Sequence, residues 1–294
     1  MNGLSLCSWN ANGLLSKISE FRLFVEKYDP DILLIQETRL RPTLNININN
    51  YTCYRNDRIT NGPTRGGTLI FIKKVHTIPH FNSPTLHHVE ATTVTLTPPN
   101  TNHISITSIY VPPRSDNLLF TLDLETILQI CSNCVIVGDF NATHNSWNCS
   151  NNSTRGIQLK NFADTTNPEI AFPNTPTRYR YNFSNTLDFA LISNFNFPYN
   201  IESISELSSD HNPVMLSFTL TSTIHKHYPR AITTCWSALS SKKPQIHLSD
   251  FSKINSPQSL EEKHILMRLA PPITQRLNQS RTNDTVTLHS TSKI

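Results

Sequence analysis

Residues 135–144 read Val-Ile-Val-Gly-Asp-Phe-Asn-Ala-Thr-His. An apolar run enters a glycine and emerges as an aspartate and an asparagine two positions apart. Alternation along a strand sets Asp139 and Asn141 on one face and Phe140 on the other. Asp and Asn end strands often, because both favour turns. A strand that drives a carboxylate and a carboxamide together to its end has another explanation if its neighbours do the same.

They do. Leu4 to Trp9 reads as a strand and is followed by Asn10. The short apolar run 31–37, Asp-Ile-Leu-Leu-Ile-Gln-Glu, is a buried strand ending at Glu37. Ile104 to Tyr110 alternates like a strand and ends on Tyr110. Asp188 falls inside the strand "TLDFALI", and Asp210-His211 immediately precedes the strand Val214 to Leu220. Strands are also expected at Gly66 to Ile72 and Val89 to Leu96. Helices are expected at Ser16 to Tyr28, closed by Pro30, at Ser115 to Ile130 and at Arg155 to Thr165. Helical patterns interspersed with many strands predict an α/β fold, a two-sheet β-sandwich flanked by helices. Six strands delivering Asn, Glu, Tyr, Asp/Asn, Asp and Asp-His to their ends exceed what turn chemistry explains. Reactive groups on a rigid sheet edge are the alternative. His144, in the loop after Asn141, reads as an exposed loop residue rather than a ligand.

Length and charge divide the chain. Its 294 residues suffice for one large domain of two packed layers or for two small domains. Residues 1–220 hold 15 Lys+Arg and 17 Asp+Glu, a net of −2; residues 221–294 hold 10 and 4, a net of +6. After residue 221 the periodicity fails, and Pro229, Pro244, Pro257, Pro271 and Pro272 punctuate a polar stretch. A domain over 1–221 and a basic, poorly packed extension over 222–294 are expected. A body with net negative charge can bind a polyanion only through a local basic face or through cations that offset a carboxylate cluster. No run of eighteen apolar residues suggests a membrane span. The start "MNGLSLCSWN" does not read as a signal peptide. Cys131 and Cys134 form one C-x-x-C without a second pair, so reduced thiols and an intracellular location are expected.

The segments "CSWNANG", "LLIQET", "IYVPP", "VGDFNA", "LDFALI" and "SDHNPV", in this order over residues 4–220, resemble the endonuclease/exonuclease/phosphatase superfamily. "RGGTLIFIK", "YVPP", "GDFNATHNSW" before an Arg-Gly helix start, and "TPTR…NTLDFALI" are similar to the apurinic-like endonuclease domain of insect-type non-LTR retrotransposons. Repair enzymes of the superfamily often carry Asp where this chain has Asn12 and Asn where it has Pro113; both departures favour the retrotransposon branch. The extension resembles the segment joining such a nuclease to a reverse transcriptase, a domain absent from this chain.

The resemblance implies Mg²⁺-dependent cleavage of double-stranded DNA, with Mn²⁺ as a substitute, and nicking that primes reverse transcription in the nucleus. Glu37, Asn10 and Asp210 would hold the metal. Asp139 would activate the attacking water, with Asn141 beside it. His211, held by Asp188, and Tyr110 would contact the phosphate, and Asp210 would serve the leaving group. Without Glu37, Asp139, Asp188 and Asp210 the body is net positive. Arg178, Arg180 and Tyr181, in an expected hairpin over 177–186, are candidate DNA contacts. The alternatives are a repair-type apurinic endonuclease or other phosphodiesterase of the superfamily, or an inactive remnant that binds nucleic acid.

Overall fold

In the first strand, β1 (Gly3–Asn10), Leu4 and Leu6 face one side and Cys7 and Trp9 the other, and both sides are buried. A strand buried on both faces needs a layer on each, and the computed structural model of the chain supplies them. It describes residues 3–59, 61–74, 80–82, 84–97 and 102–220. The extension expected over 222–294 lies outside the described residues.

After β1 come helix α1 (Ile18–Tyr28), β2 (Ile32–Gln36), β3 (Tyr51–Asn56), β4 (Thr68–Lys73), β5 (His80–Asn82), β6 (Glu90–Leu96) and β7 (Ile104–Tyr110). The second half holds α2 (Phe120–Leu128), β8 (Asn133–Asp139), α3 (Thr154–Thr166), β9 (Glu169–Ala171), β10 (Arg178–Arg180), β11 (Phe183–Asn185), β12 (Asp188–Ser193), β13 (Tyr199–Ser203) and β14 (Val214–Thr219). One sheet orders β13-β14-β1-β2-β4-β3 and the other β5-β6-β7-β8-β12-β9; β10 and β11 form a separate hairpin. β1 and β2 run parallel, as do β7 and β8. A parallel pair needs a crossover, and α1 and α2 provide them. α1 packs Phe21, Phe24 and Val25 with Trp9 and Ile35 on the outside of the first sheet. α2 packs Phe120, Leu124 and Ile127 with Ile136 on the outside of the second.

The space between the sheets is graded along the strands. At one end lie Leu6, Ile32 and Ile72 with Ile106, Val135 and Ile192. Each such aliphatic side chain contributes roughly 1.5–3 kcal/mol by leaving water. Further along, Ser8 and Ser108 appear beside the apolar Leu34, Ile70, Val137 and Ala190, and then the inward positions are polar. Gln36 Nε2 donates to Ser108 Oγ at 2.9 Å and to Ser8 Oγ at 3.2 Å, and the Thr68 and Thr92 hydroxyls lie 2.8 Å apart. This layer is tolerated in the interior because its groups are hydrogen-bonded to one another. Beyond it come Asn10, Tyr110, Asp139 and Asp188.

The expected helices are present with shorter bounds at two of the three. The helix expected from Ser115 begins at Phe120, because Asp116 Oδ1 accepts from the Leu118 and Leu119 amides and holds a turn there. Asp188 is the first residue of its strand rather than an interior one. β3, β5, β9 and β13 were not anticipated, and all four are sheet edges.

Candidate active site

Gly138 explains the first part of the opening motif. A Cβ there would lie 1.9 Å from the Ile109 carbonyl oxygen, so only glycine lets β8 lie this close to β7. The next residue, Asp139, pairs with Tyr110 on β7 and with Asp188 on β12. Asn141 takes a left-handed conformation, φ 46°, which Asn tolerates better than most residues. That turn folds it back onto Asp139: its amide donates to Oδ1 at 2.9 Å and its side chain to Oδ2 at 3.0 Å. Asn10 Nδ2 donates to the same Oδ2 at 2.9 Å. Asp139 is 1 % exposed. Burial pushes its carboxyl well above the usual carboxylate range; the His211 charge opposes the shift and the Asp188 charge adds to it.

His211 Nδ1 lies 2.8 Å from Asp188 Oδ2, and its Nε2 lies 3.9 Å from Asp139 Oδ2, too far for a hydrogen bond. Burial disfavours the imidazolium, but the two carboxylates outweigh it and push the His211 pKa up to about 9. Thr177 fixes Asp188: its hydroxyl donates to Oδ2 at 2.7 Å while accepting from the Leu187 and Asp188 amides. Asp139, Asp188 and His211 thus form a buried group of alternating charge.

Glu37 stands on the other side of Asn10, whose Nδ2 also donates to Glu37 Oε1 at 3.2 Å. Glu37 and Asn12 both adopt left-handed φ, 45° and 47°. This conformation costs a glutamate of order 1 kcal/mol or more, so surrounding contacts must hold it. They do: the Gly13 amide donates to the Glu37 carbonyl at 2.8 Å. Arg39 Nη2 bridges Glu37 Oε2, at 3.3 Å, and Asn12 Oδ1. Oxygens of a carboxylate and a carboxamide, with a cationic group already between them, form a donor set suited to a hard divalent cation that keeps much of its own water. Of the three expected metal ligands, Asn10 and Glu37 are in contact. Asp210 is turned elsewhere, accepting from Asn12 Nδ2 at 3.4 Å and from Arg178. Burial opposes its ionisation, but His211 and Arg178 hold its pKa below the ordinary value. Among the described residues Asp139, Asp188 and His211 also bring three ligand atoms within 4.8 Å of one another. An imidazolium there is a counter-ion rather than a ligand. The Tyr110 hydroxyl is raised by burial and by the Glu37 and Asp139 charges, and it keeps its proton.

The hairpin expected over 177–186 is β10–β11. Tyr181 at its tip is 99 % exposed, Tyr179 and Phe183 are about half exposed, and the Arg180 guanidinium lies 6.0 Å from the Phe183 ring centre. Arg178, expected to face DNA, instead points inward and donates twice to Asp210 Oδ2, from Nε and Nη2 at 3.1 Å each.

A profile of the endonuclease/exonuclease/phosphatase family matches residues 7–211. The chain belongs to this family. It is 30 % identical over 274 residues to a probable RNA-directed DNA polymerase from transposon BS of Drosophila melanogaster, covering 89 % of this chain and 29 % of that protein. It is 28 % identical over 243 residues to the corresponding protein of the X-element of the same fly, covering 79 % and 26 %. The chain therefore spans under a third of the length of these relatives. The endonuclease domain of TRAS1, a telomere-specific non-LTR retrotransposon, superposes with a TM-score of 0.62 at 14 % identity, covering 75 % of this chain and all of that one. An AP endonuclease from Leishmania major gives 0.62 at 15 % identity, covering 74 % and 88 %. At such identities the superpositions speak for the fold. The motif resemblance and the relatives agree on non-LTR retrotransposon proteins.

Several residues of this site carry roles that the sequence does not assign. Arg155 is buried and donates to the carbonyls of Asn141, Pro113 and Ser115, joining the loops that follow β7 and β8. Its neighbour Gly156 is required, since a Cβ there would lie 1.9 Å from the Thr143 carbonyl oxygen. The contacts of Arg39 and Thr177 are likewise not assigned by the sequence. His144 has a local role: its Nδ1 accepts from the Ser146 amide at 3.1 Å and its ring packs on Trp147. Cys7, Cys53, Cys131, Cys134 and Cys149 are free thiols. Among the described residues no helix is long and apolar enough to cross a membrane.

Proposed function

We propose that the chain is a Mg²⁺-dependent endonuclease that nicks one strand of double-stranded DNA and leaves a 3′-hydroxyl from which reverse transcription is primed. The supporting observation is the Asp139 carboxylate, buried beside a His211 imidazolium and joined through Asn10 to Glu37. Hydrolysis of a phosphodiester needs a deprotonated water, charge neutralisation on the phosphoryl oxygens and release of the leaving oxygen.

Asp139 takes the proton of the attacking water; its raised proton affinity suits a base working near neutral pH. Asn141 holds that carboxylate on both oxygens. His211 offers Nε2–H and a positive charge to a non-bridging oxygen, and Asp188 keeps the ring oriented and protonated. Tyr110 donates a further hydrogen bond. Glu37, Asn10 and Asn12 would hold the metal. Mg²⁺, or Mn²⁺ in its place, supplies polarisation of the phosphoryl oxygens when bound. Asp210, held ionised, orients a water toward the departing 3′-oxygen.

Contacts to phosphate position a duplex without reading it. Choice of site is assigned to the hairpin, whose Arg180 and Tyr181 can enter a groove or sense its width. The fly transposon relatives support the target DNA of a non-LTR retrotransposon as the substrate, and hence a nuclear site of action. The test is incubation with supercoiled plasmid and Mg²⁺ beside a duplex carrying one abasic site. Open-circle product from the plasmid is expected. Cleavage confined to the abasic duplex would assign the chain to repair-type chemistry instead.

A further inference from the structure

The hairpin is built into the catalytic loop through both backbone and side chains. The Tyr179 amide donates to the Asp210 carbonyl at 3.0 Å, and the Asn212 amide donates to the Thr177 carbonyl at 2.7 Å. Between them Arg178 and His211 form an antiparallel bridge. Residues 210–212 therefore lie alongside β10, joined to it by one isolated bridge. The side chains repeat the link. Arg178 gives two bonds to Asp210 Oδ2, and Arg180 Nε lies 3.9 Å from the same oxygen. The other oxygen accepts from Asn12, whose own Oδ1 accepts from Arg39 on Glu37. A continuous set of contacts leads from the exposed hairpin to both sides of the site.

Two guanidinium N–H groups converging on one carboxylate oxygen hold that oxygen by charge-assisted hydrogen bonds. Arg178 thus has its charge spent inward, whereas Arg180, about half exposed, is open to a ligand. We propose that Arg178 is a positioning residue. It ties Asp210 and His211 to the hairpin, so that seating the hairpin on DNA sets the placement of both. The hairpin then couples site choice to turnover: a duplex that seats it badly is cut slowly even when bound. This inference rests on the nuclease reading above.

The experiment is a double-mutant cycle of Arg178→Ala and Asp210→Asn, read as single-turnover nicking rate and as DNA affinity at several salt concentrations in EDTA. Arg178→Ala is expected to lower the rate by roughly 10²-fold, the scale of a small misplacement, with little change in affinity. In the Asp210→Asn background it should cost almost nothing more. Arg178→Lys, which keeps the charge but not the fork, should recover part of the rate. The salt dependence of binding should be unchanged. Multiplicative losses in the double variant would overturn the proposal. So would a salt slope reduced by about one, which would mean that Arg178 neutralises a phosphate. Absence of nicking by the unaltered chain would reject the nuclease reading itself; the salt slope would then decide alone whether Arg178 serves Asp210 or DNA.

Discussion

Asp188 Oδ2 lies 2.8 Å from His211 Nδ1 with both side chains buried, and the pair sits between the two sheets at the end of the graded core. The fold favours the protonated imidazole, raising its pKa from 6.5 to about 9. A raised pKa means that the stabilisation is complete below about pH 6.5 and is lost as pH rises through about 9. Denaturant melts of the natural chain and Asp188→Asn should therefore differ most near pH 6, with the gap narrowing by pH 9.5. A gap that widens with pH would contradict the charge arrangement.

Thr177 serves Asp188 in a way that valine cannot copy. Thr177→Val keeps the shape but leaves the Leu187 and Asp188 amides without their buried acceptor. A loss of about 2 kcal/mol or more is expected from unsatisfied buried donors, whereas Thr177→Ser should stay close to the natural chain. Equal melts for the serine and valine variants would remove Thr177 from this role.

Gly138→Ala places a methyl group against backbone that cannot swing aside. The expected cost is about 3 kcal/mol or more. Gly62→Ala is the control, because a Cβ there meets nothing within 4 Å. Soluble Gly138→Ala protein with an unchanged melt would show that β7 and β8 can separate without penalty.

The positions of these residues were unevenly legible in the sequence. Central strands are buried on both faces, so their apolar runs stand out, and the polar residue ending each run marks the site. The edge strands β3, β5, β9 and β13 pair on one side only and are short or polar, as in "YNIES", and periodicity does not separate them from loops. The roles of Thr177, Arg155 and Arg39 were not legible because each acts on backbone groups or on another polar side chain, and such contacts leave no spacing pattern. Arg178 was visible as a charge in a hairpin. Its direction was not, because Asp210 is 32 residues away along the chain.

The charge asymmetry bears on the stretch 222–294, which carries the +6 excess. Ending the chain at residue 221 is expected to preserve nicking while weakening DNA binding and flattening its salt dependence. If the shortened chain no longer folds, the domain boundary lies further on.

The most direct measurement is the Mg²⁺-dependent nicking rate of supercoiled plasmid by the natural chain and by Asp139→Ala, with folding and DNA binding of both verified. The account predicts nicks that a polymerase can extend from a 3′-hydroxyl, no product in EDTA, and a rate loss of at least about 10³-fold in the variant, the scale for groups acting in the transition state. Nicking by Asp139→Ala at the natural rate, or by the natural chain in EDTA, would contradict it.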